Sequence, residues 1–305
     1  MQPSVAIILV NWNSFDVTND CIESLKKVNY KGHQVLVVDN GSIDGSGEKL
    51  LSIHPEIILI KSQTNQGFTG GNNLGFQYAI KNGFTYSIML NNDTFVEPDF
   101  LTHLVNYMEL HSNTGAIQSR IHYNHNRSVL WNGGSYYSAW SGFAYTKGIN
   151  QIPSKPYLQL KEVDWVTGCA FFVRNTVLKQ TGLLAHNMFI YSEDVDLSFR
   201  IKALGYSLIY HPDSIVYHIA GMSNKSKTKG KEGFLNPIVH YLNFRNRIWL
   251  LKRYTKWYQA PTVLLCNIFY YSLILGYFAT RLRPQKLKAS IRAIRDGITL
   301  SIKYD

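Results

Sequence analysis

Residues 35–46 read VLVVDNGSIDGS, four apolar residues ending at Asp39 and followed by a turn rich in glycine and serine. A short, unbroken apolar run reads as a strand covered on both faces, which the chain leaves at the acid. The same form recurs on either side. VAIILVNWN (5–13) runs into Asn11 and Asn13, YSIMLNNDT (86–94) carries Asp93, SIVYH (214–218) ends in His218, and SEDVDLSFR (192–200) places Glu193 and Asp194 at a helix start. Open α/β sheets bind ligands beyond the carboxyl ends of their strands, so these residues point to one cleft holding a nucleotide, a divalent metal and a base.

Working outward, strands are expected at Val5–Val10, Gln34–Val38, Ile57–Lys61, Ser87–Leu90 and Ala116–Arg120. Helices fall between them at Asp16–Lys27, Gly45–Ile53, Gly71–Asn82 and Pro98–His111. Apolar strands alternating with amphipathic helices predict an α/β fold with a mainly parallel sheet. From about 121 to 165 the aromatic, glycine-rich sequence suits hairpins and loops beside the cleft. Periodicity returns in a strand at Asp164–Arg174, a helix at Asp194–Leu204 and a strand at Ser207–Tyr210.

Of the 305 residues, the first 220 hold 15 Lys and Arg against 17 Asp and Glu, whereas residues 221–305 hold 16 against 3. The excess positive charge therefore lies wholly in the last quarter, where it would seek phosphate or an anionic bilayer. Lys225, Lys227, Lys229 and Lys231 alternate in GMSNKSKTKGKEG (221–233), read as a mobile basic loop that either covers a leaving diphosphate or is simply solvated. Pro237–Tyr258 is an aromatic and basic helix, and the 24 residues Trp257–Thr280 carry no charged side chain. That length suits a bilayer, yet basic residues flank both ends, so orientation is undecided. In the last stretch Leu287, Ile291, Ile294 and Ile298 share one helical face with Lys288, Arg292 and Arg295 off it, the pattern of a helix lying in a membrane interface. A helical pair packed on its own domain or in a homo-oligomer is the alternative.

The division expected is 1–220 catalytic, 221–256 basic loop and aromatic helix, and 257–305 membrane-associating helices. No secretory leader is legible before the first strand, which places the catalytic part at the cytoplasmic face. Cys21, Cys169 and Cys266 lack ligand spacing and read as buried free thiols. Neither GxGxxG nor GxxxxGK[ST] follows the first strand, which disfavours dinucleotide-binding and P-loop chemistry. Basic residues interleaved with apolar sequence suit lipid better than nucleic acid.

As an ordered set, VAIILVNWN, VVDNGSIDGS, NQGFTGGNNLGFQYA (65–79), LNNDT, WVTGCAFFVRN (165–175) and EDVDLSFR resemble the family 2 glycosyltransferases of GT-A fold, most of all the bacterial rhamnosyltransferase and galactofuranosyltransferase-like group. The resemblance spans residues 4 to 220. It implies a metal-dependent, inverting hexosyltransferase that moves a sugar, with L-rhamnose favoured, from a dTDP- or UDP-linked donor to a saccharide or lipid-linked saccharide in surface polysaccharide synthesis. Asp194 is then the general base and Glu193 its acceptor-side neighbour, with Trp165, Thr167 and Gly168 also on the acceptor side. Asp39 reads the nucleotide base, and Asn11, Asn13, Asn65, Gly67, Gly71, Asn72, Asn92 and Asp93 surround the donor. Asp93 and His218 hold Mg²⁺ or Mn²⁺, although Asn91 stands where the family's metal motif has its first acid. A sugar-nucleotide nucleotidyltransferase and a non-catalytic membrane partner are the other classes open to this sequence.

Overall fold

The computed structural model describes residues 2–220, 225–230 and 232–304. Its first part alternates as expected: β1 (Val5–Asn11), α1 (Phe15–Leu25), β2 (His33–Asn40), α2 (Ser46–Ile53), β3 (Ile58–Ser62), α3 (Gly67–Lys81), β4 (Tyr86–Leu90), β5 (Thr94–Val96), α4 (Phe100–Leu110) and β6 (Thr114–Tyr123). Then come β7 (Leu130–Asn132), β8 (Ser135–Ser138), β9 (Phe143–Thr146), β10 (Lys161–Glu162), β11 (Ala170–Arg174), α5 (Asn175–Thr181), α6 (Glu193–Ala203) and β12 (Ser207–His218). The chain closes with β13 (Lys225–Gly230), β14 (Gly233–Leu235), α7 (Pro237–Tyr254), α8 (Ala260–Thr280) and α9 (Pro284–Thr299).

The main sheet has the order β10-β12-β6-β11-β4-β1-β2-β3. The pairs β3–β2, β2–β1, β1–β4 and β6–β12 are parallel, and β11 enters antiparallel between β4 and β6. Alternate residues of each strand feed the two faces: Ile7, Leu9, Val37 and Ile88 pack under α1 and α4, while Ile8, Leu36, Val38 and Met89 pack under α3. The α/β fold with a mainly parallel sheet is as expected.

Four segments differ from expectation. Helix α3 begins at Gly67, so the glycines expected ahead of it lie within its first turns. Only Ala170–Arg174 of the strand expected from Asp164 is extended. Before it, the backbone N–H of Asp164 goes to the Ser135 carbonyl, that of Val166 to Ser198 Oγ and that of Gly168 to the Asp194 carboxylate, so these three are not free for a ladder. Strand β12 runs eight residues past Tyr210, absorbing Pro212 in a break of register between His211 and Ile215. A proline inside a sheet is tolerated at such a bulge. Within the expected basic loop, residues 225–230 pair antiparallel with 233–235, while 221–224 and Lys231 lie outside the described residues.

Helix α7 is tied into the catalytic part. Its Trp249 and Leu250 pack with Trp165, Ala185, Met188 and Val195. The opposite side of α7 meets α8 and α9 through Tyr241, Phe244, Ile248, Tyr271 and Ala293.

Candidate active site

The first cluster forms where β1 and β2 end side by side, with Asn11 opposite Asp39 in the register. Asn11 Nδ2 lies 3.3 Å from Asp39 Oδ1 and donates to Ser46 Oγ at 2.8 Å, while Asn11 Oδ1 accepts from Thr18 Oγ1 at 2.9 Å. Asn13 joins through Ser42, whose Oγ accepts from the Asn13 backbone N–H, and its own Oδ1 accepts from the Ile43 N–H. Asp39 is buried, and a Cβ on Gly47 would sit 2.3 Å from its Oδ2, so the carboxylate rests on the first turn of α2. Asp44 makes the turn, accepting the Ser46 N–H at 2.9 Å.

Beyond β4, Asn92 Nδ2 donates to Thr18 Oγ1 at 2.7 Å, joining this cluster to the metal-motif loop. One residue on, Asp93 faces the far end of β12. Pairing of His218 with Thr94 brings His218 Nε2 to 3.0 Å from Asp93 Oδ1. Both side chains are buried. The extension of β12 past Pro212 makes this contact. One carboxylate and one imidazole at this spacing fit Mg²⁺ or Mn²⁺, which Asp93 and His218 would hold together with substrate phosphate and water. Asn91 Nδ2 lies 3.3 Å from His218 Nε2, and the Trp131 and His218 rings stand nearly perpendicular with centroids 4.6 Å apart. Burial alone would lower the His218 pKa, but as long as no cation binds, Cys169 and Asp93 outweigh burial and raise it; a bound cation would take that proton's place. Because burial also raises the Cys169 thiol, the Asp93 carboxylate is the charge that matters at neutral pH.

The third part stands at the start of α6. Asp194 Oδ2 accepts from the Gly168 N–H and its Oδ1 from the Val195 N–H, both at 2.8 Å. Gly168 is followed directly by Cys169, the thiol beside His218, so Asp194 and the Asp93–His218 pair lie on either side of one short turn. Burial lifts the Asp194 pKa above the usual carboxylate value, held back by those two N–H groups. Glu193 is raised well above its ordinary value by burial and then by the Asp194 charge, and its Oε2 has no partner among the described residues. Trp165, Glu193 and Asp194 line a cavity of about 480 Å³, to which α7 contributes Val239, Asn243, Phe244 and Arg247. Thr167 and Gly168 shape the turn behind it. Asp196 points away, held by Arg200 at 2.9 Å, Tyr254 at 2.7 Å and Tyr304 at 2.6 Å.

The residues of the 65–79 stretch are held by one another and by the sheet. Asn65 Oδ1 accepts from Asn40 and from the Gly67 N–H. A Cβ on Gly67 would meet Phe189 at 2.5 Å, and one on Gly71 would meet Val10 at 2.8 Å. Asn72 Nδ2 donates to the Phe68 carbonyl. These contacts give both glycines a packing reason for lacking a side chain.

The sequence model of glycosyl transferase family 2 matches residues 6–180. The chain belongs to glycosyl transferase family 2. The N-acetylglucosaminyl-diphospho-decaprenol L-rhamnosyltransferase of Mycobacterium tuberculosis is 25% identical over 280 residues, covering 86% of this chain and 88% of that one. The dTDP-rhamnosyl transferase RfbF of Shigella flexneri is 23% identical over 309 residues, covering 98% and 96%. Among solved structures, a Pyrobaculum calidifontis mannosyltransferase in complex with GDP-Man and Mn²⁺ superposes with a TM-score of 0.58 at 13% identity, over 99% of this chain and 77% of that one. This family 2 enzyme is a glycosyltransferase with the GT-A architecture expected from its motifs.

Sequence reasoning missed Thr18 and Ser46, which bind Asn11, and Cys169 beside His218. It also missed Asn243 and Arg247, which line the cavity beside Asp194. The serine lies in the DNGSIDGS turn and was open to notice; the α7 residues gave no signal except being polar within an aromatic helix.

Proposed function

We propose that the enzyme transfers a sugar, L-rhamnose by preference, with inversion from a dTDP- or UDP-linked donor to a hydroxyl of a lipid-linked saccharide at the cytoplasmic face of the membrane. The observation that carries the reading is the pairing of Asp93 with His218 at 3.0 Å on one side of the Gly168–Cys169 turn and the Asp194 carboxylate on the other. Asp39 and Asn11 take the donor's base and ribose end, since a carboxylate can accept from the imide N–H of thymine or uracil. Asp93 and His218 hold the divalent cation, which when bound supplies positive charge to the departing diphosphate. Asp194 takes the proton of the acceptor hydroxyl lying in the cavity, and its raised pKa makes it a stronger base than a surface aspartate. The Gly168 and Val195 N–H groups fix the carboxylate while it does so.

The membrane side of the proposal draws on the C-terminal helices. The faces that α8 and α9 turn to the protein carry Asn267, Lys286, Ser290, Ala293, Asp296 and Gly297, whereas Leu264, Leu265, Ile268, Phe269, Leu273, Ile291 and Ile298 are exposed. An outward apolar face rimmed by Arg281, Arg283, Lys288, Arg292 and Arg295 suits an anionic bilayer. Asn267 within α8 bonds to the Ser141 carbonyl and to Arg247, which anchors the helix side-on and favours lying in the interface over crossing it.

Thermal stability with thymidine, uridine and guanosine diphosphates, each with and without Mn²⁺, tests the donor half. A ligand at 100 times its dissociation constant adds about 2.7 kcal/mol. Metal-dependent stabilisation by one nucleotide is expected; a folded sample stabilised by none contradicts the proposal. Analysis of the turnover product separates glycosyl transfer, which releases nucleoside diphosphate, from nucleotidyl transfer, which releases pyrophosphate.

A further inference from the structure

The four residues that lead into Glu193 and Asp194 follow an unusual path. Phe189, Tyr191 and Ser192 have φ of 66°, 75° and 69°, and none is glycine. At Phe189 ψ is −56°, and the Ile190 N–H bonds to the Met188 carbonyl at 2.8 Å, closing a three-residue turn of the strained hand. Backbone held in such regions persists only where its surroundings over-determine it. Two elements do so here. From α3, the Thr69 N–H donates to the Phe189 carbonyl and Thr69 Oγ1 to the His186 carbonyl. From α7, the fully buried Asn246 places its amide nitrogen 2.9, 2.9 and 2.8 Å from the carbonyls of Met188, Ile190 and Tyr191.

That ring of carbonyls fixes which end of the amide points inward, because an oxygen there would face three acceptors. Arg245 fixes the other end, donating from Nε to Asn246 Oδ1 at 2.9 Å and from Nη2 to the Asn187 carbonyl at 2.9 Å. The Ser192 carbonyl in turn accepts the Asp196 N–H, so the segment sets where α6 begins and where Asp194 sits in its first turn.

We propose that Asn246 is a positioning residue for catalysis: its amide gathers the carbonyls of the strained 188–191 backbone and so aims Asp194 at the acceptor cavity. Nothing in Asn246 touches substrate; it acts through the segment it holds. The inference rests on Asp194 being the base.

The test compares Asn246→Ala, Asn246→Asp and Asp194→Asn with the unaltered enzyme. Transfer is read with dTDP-L-rhamnose and an N-acetylglucosaminyl-diphospho-polyprenol, dTDP affinity is read with Mn²⁺ present, and amide hydrogen exchange is read on the same samples. Both Asn246 variants should lower kcat about 100-fold, the cost of a base displaced by roughly an ångström, with dTDP affinity and donor KM unchanged. Exchange should quicken in 188–196 and nowhere else. Adding Ser192→Gly to Asn246→Ala should recover about tenfold in kcat, because glycine accepts the left-handed conformation without the clamp. The serine side chain makes no capping bond that this would remove. A folded Asn246→Ala enzyme with kcat within threefold of the unaltered one, or with unchanged exchange in 188–196, overturns the proposal. Loss of cooperative melting in both Asn246 variants, or exchange that rises throughout, makes the residue a folding residue and overturns it too. Full activity in Asp194→Asn instead removes the base assignment, a separate failure.

Discussion

Substituting Gly71 separates two uses of a glycine-rich stretch, close approach of the donor and close packing of a helix on the sheet. A Cβ at Gly71 would meet Val10 Cγ1 at 2.8 Å and Cγ2 at 3.1 Å, with Asn40 Nδ2 at 3.3 Å. Gly71 lies within α3, where alanine is better than glycine by about 0.8–1.0 kcal/mol. Forcing a methyl group into packed surroundings costs about 1–3 kcal/mol, so the packing reading gives a net loss of roughly 1 kcal/mol for Gly71→Ala. Trimming the opposing residue should return it: Val10→Ala and Gly71→Ala together should be less destabilising than the sum of the two, by about 1 kcal/mol. Denaturant midpoints of the four proteins give the coupling, and dTDP affinity with Mn²⁺, measured well below the unfolding transition, gives the binding. The packing reading expects a lower midpoint with unchanged affinity. A stabilised Gly71→Ala protein that no longer binds nucleotide refutes it and supports the donor role.

Three further outcomes are expected. Glu193→Gln should stabilise the enzyme at pH 8 and not near pH 4: the buried acid has a folded pKa raised above its unfolded one, so whatever stability its neutral form contributes is lost as pH rises through the folded value. Equal melting temperatures for Glu193→Gln and the unaltered enzyme at both pH values would refute this. Since Asp194 must be ionised to act and burial raises its pKa, the acid limb of kcat/KM should lie above the ordinary aspartate range, with activity falling as pH drops; a limb near 3.8 would contradict the buried setting. Leu265→Glu with Phe269→Glu, both on the exposed face of α8, should weaken sedimentation with phosphatidylglycerol vesicles at least tenfold while leaving the melting temperature within a few degrees; undiminished binding would locate the membrane contact elsewhere.

Much of this arrangement was legible because acids where apolar strands end either cap a turn or helix or face the cleft beyond the sheet. The placement of Asp39 and Asp93 where apolar strands end, and of Asp194 at a helix start, was readable from local pattern, their roles only from the resemblance to the family, and the sheet that gathers them followed from the alternation of strands and helices. What local pattern hides is whatever a tertiary contact decides. Pro212 reads as the end of a strand, yet the break of register between His211 and Ile215 lets β12 continue to His218 and deliver it to Asp93. The glycines before Asn72 read as a loop, yet they lie in the first turns of α3, where the bare backbone of Gly71 lets the helix settle on Val10. Asn246 and Arg247 read as two polar residues in an aromatic helix. Their partners lie 55 to 58 residues upstream and 20 downstream, beyond the reach of any periodicity.

The central claim is that Asp194 is the base at a nucleotide-sugar site, and the most direct test is transfer by Asp194→Asn measured beside its nucleotide affinity. Asparagine keeps the size of the side chain and can still accept one of the two N–H bonds from Gly168 and Val195. The account predicts a folded protein that binds dTDP with Mn²⁺ as the unaltered enzyme does and transfers sugar at least about 100-fold more slowly. Transfer at the unaltered rate would contradict it.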